Sequence, residues 1–131
     1  MFSIHSVSSD RELSFISFDG EYFQVELSGR GIRATTSVWA GPALGTLDIL
    51  FQDLAHLNGL WQDKRSWESL DGEFSISATC TPLGHIILTA TFAGLPGAPE
   101  AWQVQAGLET ELGQLKSIAE NATRFFHEGS A

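Results

Sequence analysis

Runs of alternating apolar and polar residues, separated by tight-turn sequences, constrain this fold more than any other feature of the chain. The first two runs, 13–18 and 21–27, are joined by Asp19-Gly20. This pair is typical of hairpin turns, because both central residues of such a turn take positive φ. A third run, 32–39, follows a glycine-rich turn and is rich in β-branched residues, which favour strands. The three runs therefore predict an antiparallel meander.

A second set of three runs lies in the other half of the chain. It begins after residues 60–72, which are polar and acidic and are interpreted as a loop. The alternation predicts three further strands, at 74–79, 86–92 and 101–109. Trp102 is expected to point inward from the last of them. A short strand at 2–7 is also suggested.

Apolar residues at helical spacing follow each set of strands. Gly41-Pro42 ends the third run, and proline is favoured in the first turn of a helix. We therefore expect the first helix to extend from about residue 43 to residue 57. Asp48 falls on the polar side of this predicted helix. Thr110 is expected to cap a second helix that continues to about His127.

These elements predict an α+β fold and a single domain spanning residues 1–131. Its largely antiparallel sheet would contain about six strands in two meanders, in the order βββα-βββα, with two helices packed on one face. Each half alone would leave its sheet uncovered, so the two halves are expected to share one core. The 131 residues are 43% hydrophobic, which is enough for such a core.

The charge balance argues against a nucleic-acid partner. Seven Lys and Arg against sixteen Asp and Glu give a net charge of −9, which repels phosphates unless basic residues cluster. Lys64 and Arg65 form the only adjacent basic pair, and Asp63 and Glu68 flank them. The negative surface suits solubility, and it also suits attraction to a basic protein partner.

The chain is expected to reside in the cytoplasm, without a membrane anchor. Its single cysteine, Cys80, excludes an intramolecular disulfide and agrees with a reducing compartment. The N-terminus shows no secretion signal, and no stretch approaches the ~20 apolar residues that span a bilayer.

Cys80 and His85 flank a four-residue turn, which raises the question of a thiolate–imidazolium pair. Strand parity argues against it. Cys80 shares the face of the core residues before it, whereas His85 lies on the face opposite Ile86. The expected reading is a buried thiol and a turn histidine. None of the four histidines has the spacing of metal ligands, so neither a metal site nor a cofactor is predicted.

Several sequence patterns resemble a family of small bacterial proteins of unknown function. They are LWQDKRSWESLDGEFSISAT at 60–79, GHIIL at 84–88 and LETELGQLKSIA at 108–119. The family pattern is W-x-S-L-x-G-E, then A-T, then G-H followed by Val or Ile, and the resemblance covers roughly residues 20–126. Proteins of this general type are similar to immunity proteins of polymorphic toxin systems. The resemblance implies a protein that binds and blocks a toxin, and it brings no catalytic residues.

Acidic residues and tryptophans lie together between the first helix and the next strand. An aromatic anchor ringed by charge is a common composition of binding hot spots, although such a loop can also be solvated, with its tryptophan packed into the core. Trp61 is expected to close the core, and Trp67 is the better anchor. The candidate partner-contact residues are Asp63, Trp67, Glu68, Asp71 and His85.

The first hypothesis is therefore a non-enzymatic interaction protein, similar to an immunity protein or antitoxin, that binds a basic partner through an acidic surface. The alternative is a small-molecule binding domain or enzyme with a pocket between sheet and helices, under Trp61, Trp67 and His85. A third interpretation is a homo-oligomer formed through an exposed sheet face that carries Tyr22 and Trp39.

Overall fold

Eight β-strands and two α-helices make up the described part of the computed structural model, which comprises residues 1–40, 46–57, 59–94 and 97–127. In chain order they are β1 (Phe2–His5), β2 (Glu12–Phe18), β3 (Tyr22–Gly29), β4 (Ile32–Trp39), α1 (Asp48–His56), β5 (Arg65–Glu68), β6 (Phe74–Cys80), β7 (His85–Ala93), β8 (Gln103–Glu111) and α2 (Leu115–His127). A 3₁₀ turn, Leu112–Gln114, leads into α2. The predicted α+β class is confirmed.

The strands form two sheets rather than one. Each is a four-stranded antiparallel meander, in the orders β1-β2-β3-β4 and β5-β6-β7-β8. The prediction of one sheet of about six strands is therefore wrong in strand number and arrangement, whereas the antiparallel pairing and the two meanders are confirmed.

The missing strand, β5, explains part of this difference. It is only four residues long, and Trp67 is its single buried residue. Its identity as a strand depends on pairing with β6, in which Trp67 lies opposite Ile76. Such a short polar segment carries little alternation of its own, so residues 60–72 are not the continuous loop that we predicted.

The helices also differ from their predicted positions. Residues 41–45 lie outside the described part of the chain, and α1 is described from Asp48 onward. Thr110 is not a helix cap, because β8 continues through Glu111, which pairs with His85. Trp102 precedes β8 and is exposed, so its predicted inward orientation is wrong.

The two sheets are joined along the β1 and β8 edges. Val7 N–H donates to the Glu109 carbonyl oxygen at 2.9 Å, and Glu109 N–H donates to Ser6 Oγ at 3.2 Å. Arg11 Nη1 donates to the Gly107 carbonyl oxygen at 2.9 Å. The segment between β1 and β2 therefore ties the first sheet to the last strand of the second.

Phe23 marks the centre of the shared core. Its ring lies 6.2 Å from the ring of Phe74 in the second sheet and 5.3 Å from that of Phe126 in α2. Phe125, the neighbour of Phe126, contacts Phe2 at 5.5 Å between centroids. The buried residues form one hydrophobic cluster, which confirms the predicted common core.

The two helices pack against each other, and α2 also contacts β1 while α1 contacts β5. They do not lie side by side on one sheet face as predicted.

The β2–β3 hairpin is confirmed, although Asp19 lies before the centre of the turn. Within the described chain only Gly20 of the Asp19-Gly20 pair has positive φ, at 98°. The Asp19 carboxylate accepts hydrogen bonds from the backbone N–H groups of Tyr22 at 2.7 Å and Glu21 at 2.9 Å. These bonds, first that from Tyr22 and then that from Glu21, lower the pKa of Asp19 below its ordinary value of 3.8.

This lowered pKa predicts a pH-dependent contribution to stability. Because the folded state favours the charged carboxylate, the contribution is present at neutral pH and is lost as pH falls through the folded-state pKa of Asp19. We expect Asp19→Asn to lower the urea midpoint at about pH 7 and to have a smaller effect at about pH 3, which lies below the ordinary carboxyl pKa. Asp63→Asn, at an exposed acid, is the matched control. An equal effect of Asp19→Asn at both pH values would contradict the proposed role of the charge.

Candidate functional site

The five predicted contact residues do not form one site. Glu68 and Asp71 lie at the end of β5 and in the turn that follows it, and both are exposed. Asp63 precedes the other end of β5. His85 begins β7 at that same end, on the outer face of the second sheet, opposite Glu111. The structure therefore brings Glu68 and Asp71 together and separates them from Asp63 and His85.

Trp67 belongs mainly to the core. Its side chain is 7% exposed, and its ring lies 6.1 Å from that of Phe23 across the two sheets. The remaining surface of Trp67 lines a groove of about 490 Å³ together with Ser66, Glu68, Ser69 and Leu70. Trp67 therefore holds the β5 edge in place, while Glu68 and Leu70 provide the exposed parts of that groove.

The parity prediction for Cys80 and His85 is confirmed. Cys80 pairs with Ile86 across the β6–β7 hairpin, and its Sγ donates to the Thr81 carbonyl oxygen at 3.5 Å. His85 Nδ1 instead lies 2.7 Å from Glu109 Oε2 on the outer sheet face. The thiol and the imidazole therefore do not form a nucleophilic pair.

Three chain segments meet at one end of the molecule. The contact between Phe23 and Phe74 brings the β2–β3 turn beside the β5–β6 turn. Ala93 N–H donates to the Glu73 carbonyl oxygen at 3.0 Å, which adds the β7–β8 connection. Residues 18–23, 66–75, 93–94 and 97–102 together contain six carboxylates and no Lys, Arg or His. We name this surface the acidic end, and its carboxylates are Asp19, Glu21, Glu68, Asp71, Glu73 and Glu100.

Large apolar side chains are exposed among these carboxylates. Tyr22, Leu70 and Trp102 each keep between 46% and 57% of their surface in solvent. Trp102 lies against Gly94, where an added Cβ would come within 2.8 Å of the indole Nε1. Gly94 N–H also donates to the Trp102 carbonyl oxygen at 3.1 Å. The indole is therefore held at the surface by local packing.

One carboxylate of the acidic end is buried. Glu73 is 8% exposed, and its Oε1 has no hydrogen-bond partner in the described structure. A buried carboxylate oxygen without a partner is costly in free energy. Glu73 therefore differs from the other carboxylates of the acidic end, which are exposed.

The helices contain a second polar cluster, which sequence reasoning missed. Asp48 was expected on the polar side of α1, but it is 1% exposed. Its Oδ2 lies 2.9 Å from His127 Nε2 and accepts a hydrogen bond from Gln52 Nε2 at 2.9 Å. Thr46 Oγ1 donates to its other oxygen, and Gln52 Nε2 also donates to Thr123 Oγ1 at 2.7 Å. The spacing of α1 alone gives no signal for this cluster, because two of its members, Thr123 and His127, come from α2.

In the described part of the chain, Trp61, Trp67 and His85, under which we expected a pocket, do not face one common space. Trp61 and Trp67 are buried in the core, and His85 lies on the outer face of the second sheet. Trp61 also lines a separate surface groove of about 380 Å³ with Cys80 and Pro82. Among the described residues, no group of three or more His, Cys, Asp or Glu is placed to hold a metal ion.

A family model described as a family of unknown function, DUF6228, matches residues 7–129, which is nearly the whole chain. No curated protein and no solved structure matches it. In the described part of the chain, every helix is too short or too polar to cross a membrane.

Proposed function

The chain belongs to the DUF6228 family of unknown function, and from that premise we propose that it is a non-enzymatic binding protein whose acidic end docks a basic partner protein. The observation that carries this proposal is the meeting of three exposed apolar side chains with six carboxylates on segments that contain no basic residue. The predicted residues Glu68 and Asp71 belong to this surface, whereas Asp63 and His85 do not.

The composition of the acidic end suits a protein interface. Aromatic residues give large contact area at low entropic cost, and hot spots are enriched in Trp and Tyr. Tyr22 and Trp102 supply such area, and Leu70 lies in the turn between Glu68 and Glu73. Carboxylates around these side chains would speed association with a basic surface and exclude acidic competitors.

Asp19 and Glu73 give the surface two different kinds of carboxylate. Asp19 is held in place by two backbone N–H groups, and its lowered pKa keeps it ionised over a wide pH range. Glu73 is buried with one oxygen unpartnered. A Lys or Arg side chain from the partner would therefore contact Asp19 and the other exposed carboxylates, whereas the buried oxygen of Glu73 lies below this surface.

The class of partner is suggested by sequence resemblance. The similarity to immunity proteins of polymorphic toxin systems implies a toxin as the bound protein. In this proposal the acidic end covers a basic surface of the toxin and blocks it. The binding requires no catalytic group from this chain.

The proposal is tested by affinity capture with charge-reversal variants. Tagged wild-type chain is incubated with native lysate at about 50 mM salt and again at about 500 mM, where exposed charges are largely screened. We expect a basic protein to be retained at low salt and released at high salt. Glu68→Lys/Asp71→Lys should retain at least about tenfold less of it.

The matched control is Asp53→Lys/Glu111→Lys, which makes the same change in net charge at exposed acids outside the acidic end. Equal loss in both double variants would show that net charge, and not this surface, determines retention. Retention of no protein at low salt would contradict the proposal as a whole.

A further inference from the structure

A groove between the two helices has a composition different from that of the acidic end. It encloses about 390 Å³ and is lined by Gln52, Ala55, His56, Lys116, Ala119, Glu120, Thr123 and Arg124. A second hollow of about 560 Å³ shares Ala55, His56 and Lys116 and continues to Leu54, Leu112 and Leu115. Volumes of about 300–1,000 Å³ are typical of small-molecule sites.

We propose that this groove binds a small amphipathic carboxylate, with the carboxylate at Arg124 and the apolar body along Ala55 and Ala119. The inference rests on residues that the proposed docking of a basic partner does not use, so either can fail without the other.

The end of the groove at Arg124 is built to hold an anion. Arg124 Nη1 donates only a long bond, 3.3 Å, to Asn121 Oδ1, and it forms no ion pair in the described structure. The rest of its guanidinium fork is available for a carboxylate, which it fits in bidentate geometry. Thr123 adds a hydroxyl group to the same end.

The polar wall at this end is fixed by the cluster around Asp48. Gln52 Nε2 donates to Asp48 at 2.9 Å and to Thr123 at 2.7 Å. These bonds fix the side chains of Gln52 and Thr123, which both line the groove, before a ligand arrives. Asp48 itself is buried, and its Oδ2 lies 2.9 Å from His127 Nε2. Glu120 is then the one carboxylate among the groove-lining residues, which also include the basic side chains of Lys116 and Arg124.

The floor of the groove is apolar and becomes more so away from Arg124. Ala55 and Ala119 are small, so a ligand body can lie close to both helices, and Leu112 and Leu115 follow beyond Lys116. Arg124 and Lys116 are eight residues apart, which is about 12 Å along α2. The groove therefore suits an elongated molecule with one charged end.

Decanoate is a suitable probe, because it combines a carboxylate with an apolar chain. A ¹⁵N–¹H NMR titration of the full chain should give saturable shifts at the Gln52 side-chain amide and at the backbone amides of Ala55, Ala119 and Thr123. Decanol, which lacks the charge, should bind at least about tenfold more weakly. Absence of saturable shifts, or shifts confined to residues outside the groove, would overturn the proposal.

Substitutions at Arg124 test the charge at the end of the groove, and substitutions at Ala119 or Ala55 test the free volume of its floor. Arg124→Ala should raise the decanoate Kd about tenfold or more, and Arg124→Lys should have a smaller effect. Ala119→Leu fills the floor and should abolish binding while keeping both cations, with Ala55→Leu as the alternative if that variant does not fold. Lys64→Ala removes an exposed cation elsewhere and should leave Kd unchanged. An Arg124→Ala variant that binds like the wild type would contradict the assignment.

Discussion

Replacing Phe23 with alanine is expected to lower the free energy of unfolding by about 3–5 kcal/mol. The side chain is fully buried, and its ring contacts Phe15, Trp67, Phe74 and Phe126 at centroid distances of 5.3–6.2 Å. These neighbours come from both sheets and from α2. The cavity would therefore open where the two sheets and α2 meet, and relaxation of one element could not close it.

Urea unfolding measures this effect. The midpoint should fall strongly, with an unchanged m value if the denatured state is unaffected. Tyr22→Ala is the matched control, because Tyr22 is the adjacent aromatic residue but is half exposed on the opposite strand face. A loss below about 1.5 kcal/mol for Phe23→Ala would contradict the account of a core shared at this residue.

Replacing Gly29 with alanine should also be strongly destabilising, by about 3 kcal/mol or more. Gly29 has φ of 106°, and an added Cβ would lie 2.6 Å from both Arg11 Cα and the Asp10 carbonyl oxygen. Both atoms are backbone atoms, so the segment before β2 would have to move. This segment also carries Arg11, whose guanidinium ties it to Gly107.

Gly31→Ala distinguishes the clash from the dihedral strain. Gly31 has φ of 79°, and nothing lies within 4 Å of an added Cβ, so alanine there should cost only about 1 kcal/mol. Hydrogen exchange should show faster exchange at Val7 in Gly29→Ala than in Gly31→Ala, because the Val7–Glu109 bond is displaced. Equal destabilisation by the two variants would contradict the proposed close approach at Gly29.

Turn chemistry and strand alternation were sufficient to predict most of the strands. The Asp19-Gly20 hairpin and the strand at 32–39 follow from local sequence, because tight turns require particular residues and a half-buried strand alternates. The same alternation places Cys80 and His85 on opposite faces, as the structure confirms. These features depend on neighbours a few residues apart.

The division into two sheets could not be predicted in this way. It depends on β5, whose four residues are defined by pairing with β6, and on the hydrogen bonds of Val7 and Arg11 to β8. The burial of Asp48 likewise depends on His127, seventy-nine positions away. Non-local contacts of this kind leave no periodic pattern in the sequence.

The acidic end was predictable only in part. Glu68 and Asp71 lie within one short segment, and the local density of charge there predicts a contact surface. Asp19, Glu21 and Glu100 join them only because Phe23 packs on Phe74 and Glu73 bonds to Ala93. Asp63 is near Glu68 in the sequence, but β5 separates the two.

The salt dependence of binding tests the central claim most directly. The partner recovered by affinity capture is purified, and its Kd is measured against the wild type and Glu68→Lys/Asp71→Lys between about 50 and 500 mM salt. We expect a Kd that rises steeply with salt for the wild type and much less for the variant, which binds weakly throughout. A wild-type Kd that is independent of salt, or equal to that of the variant at every salt concentration, would contradict the central claim.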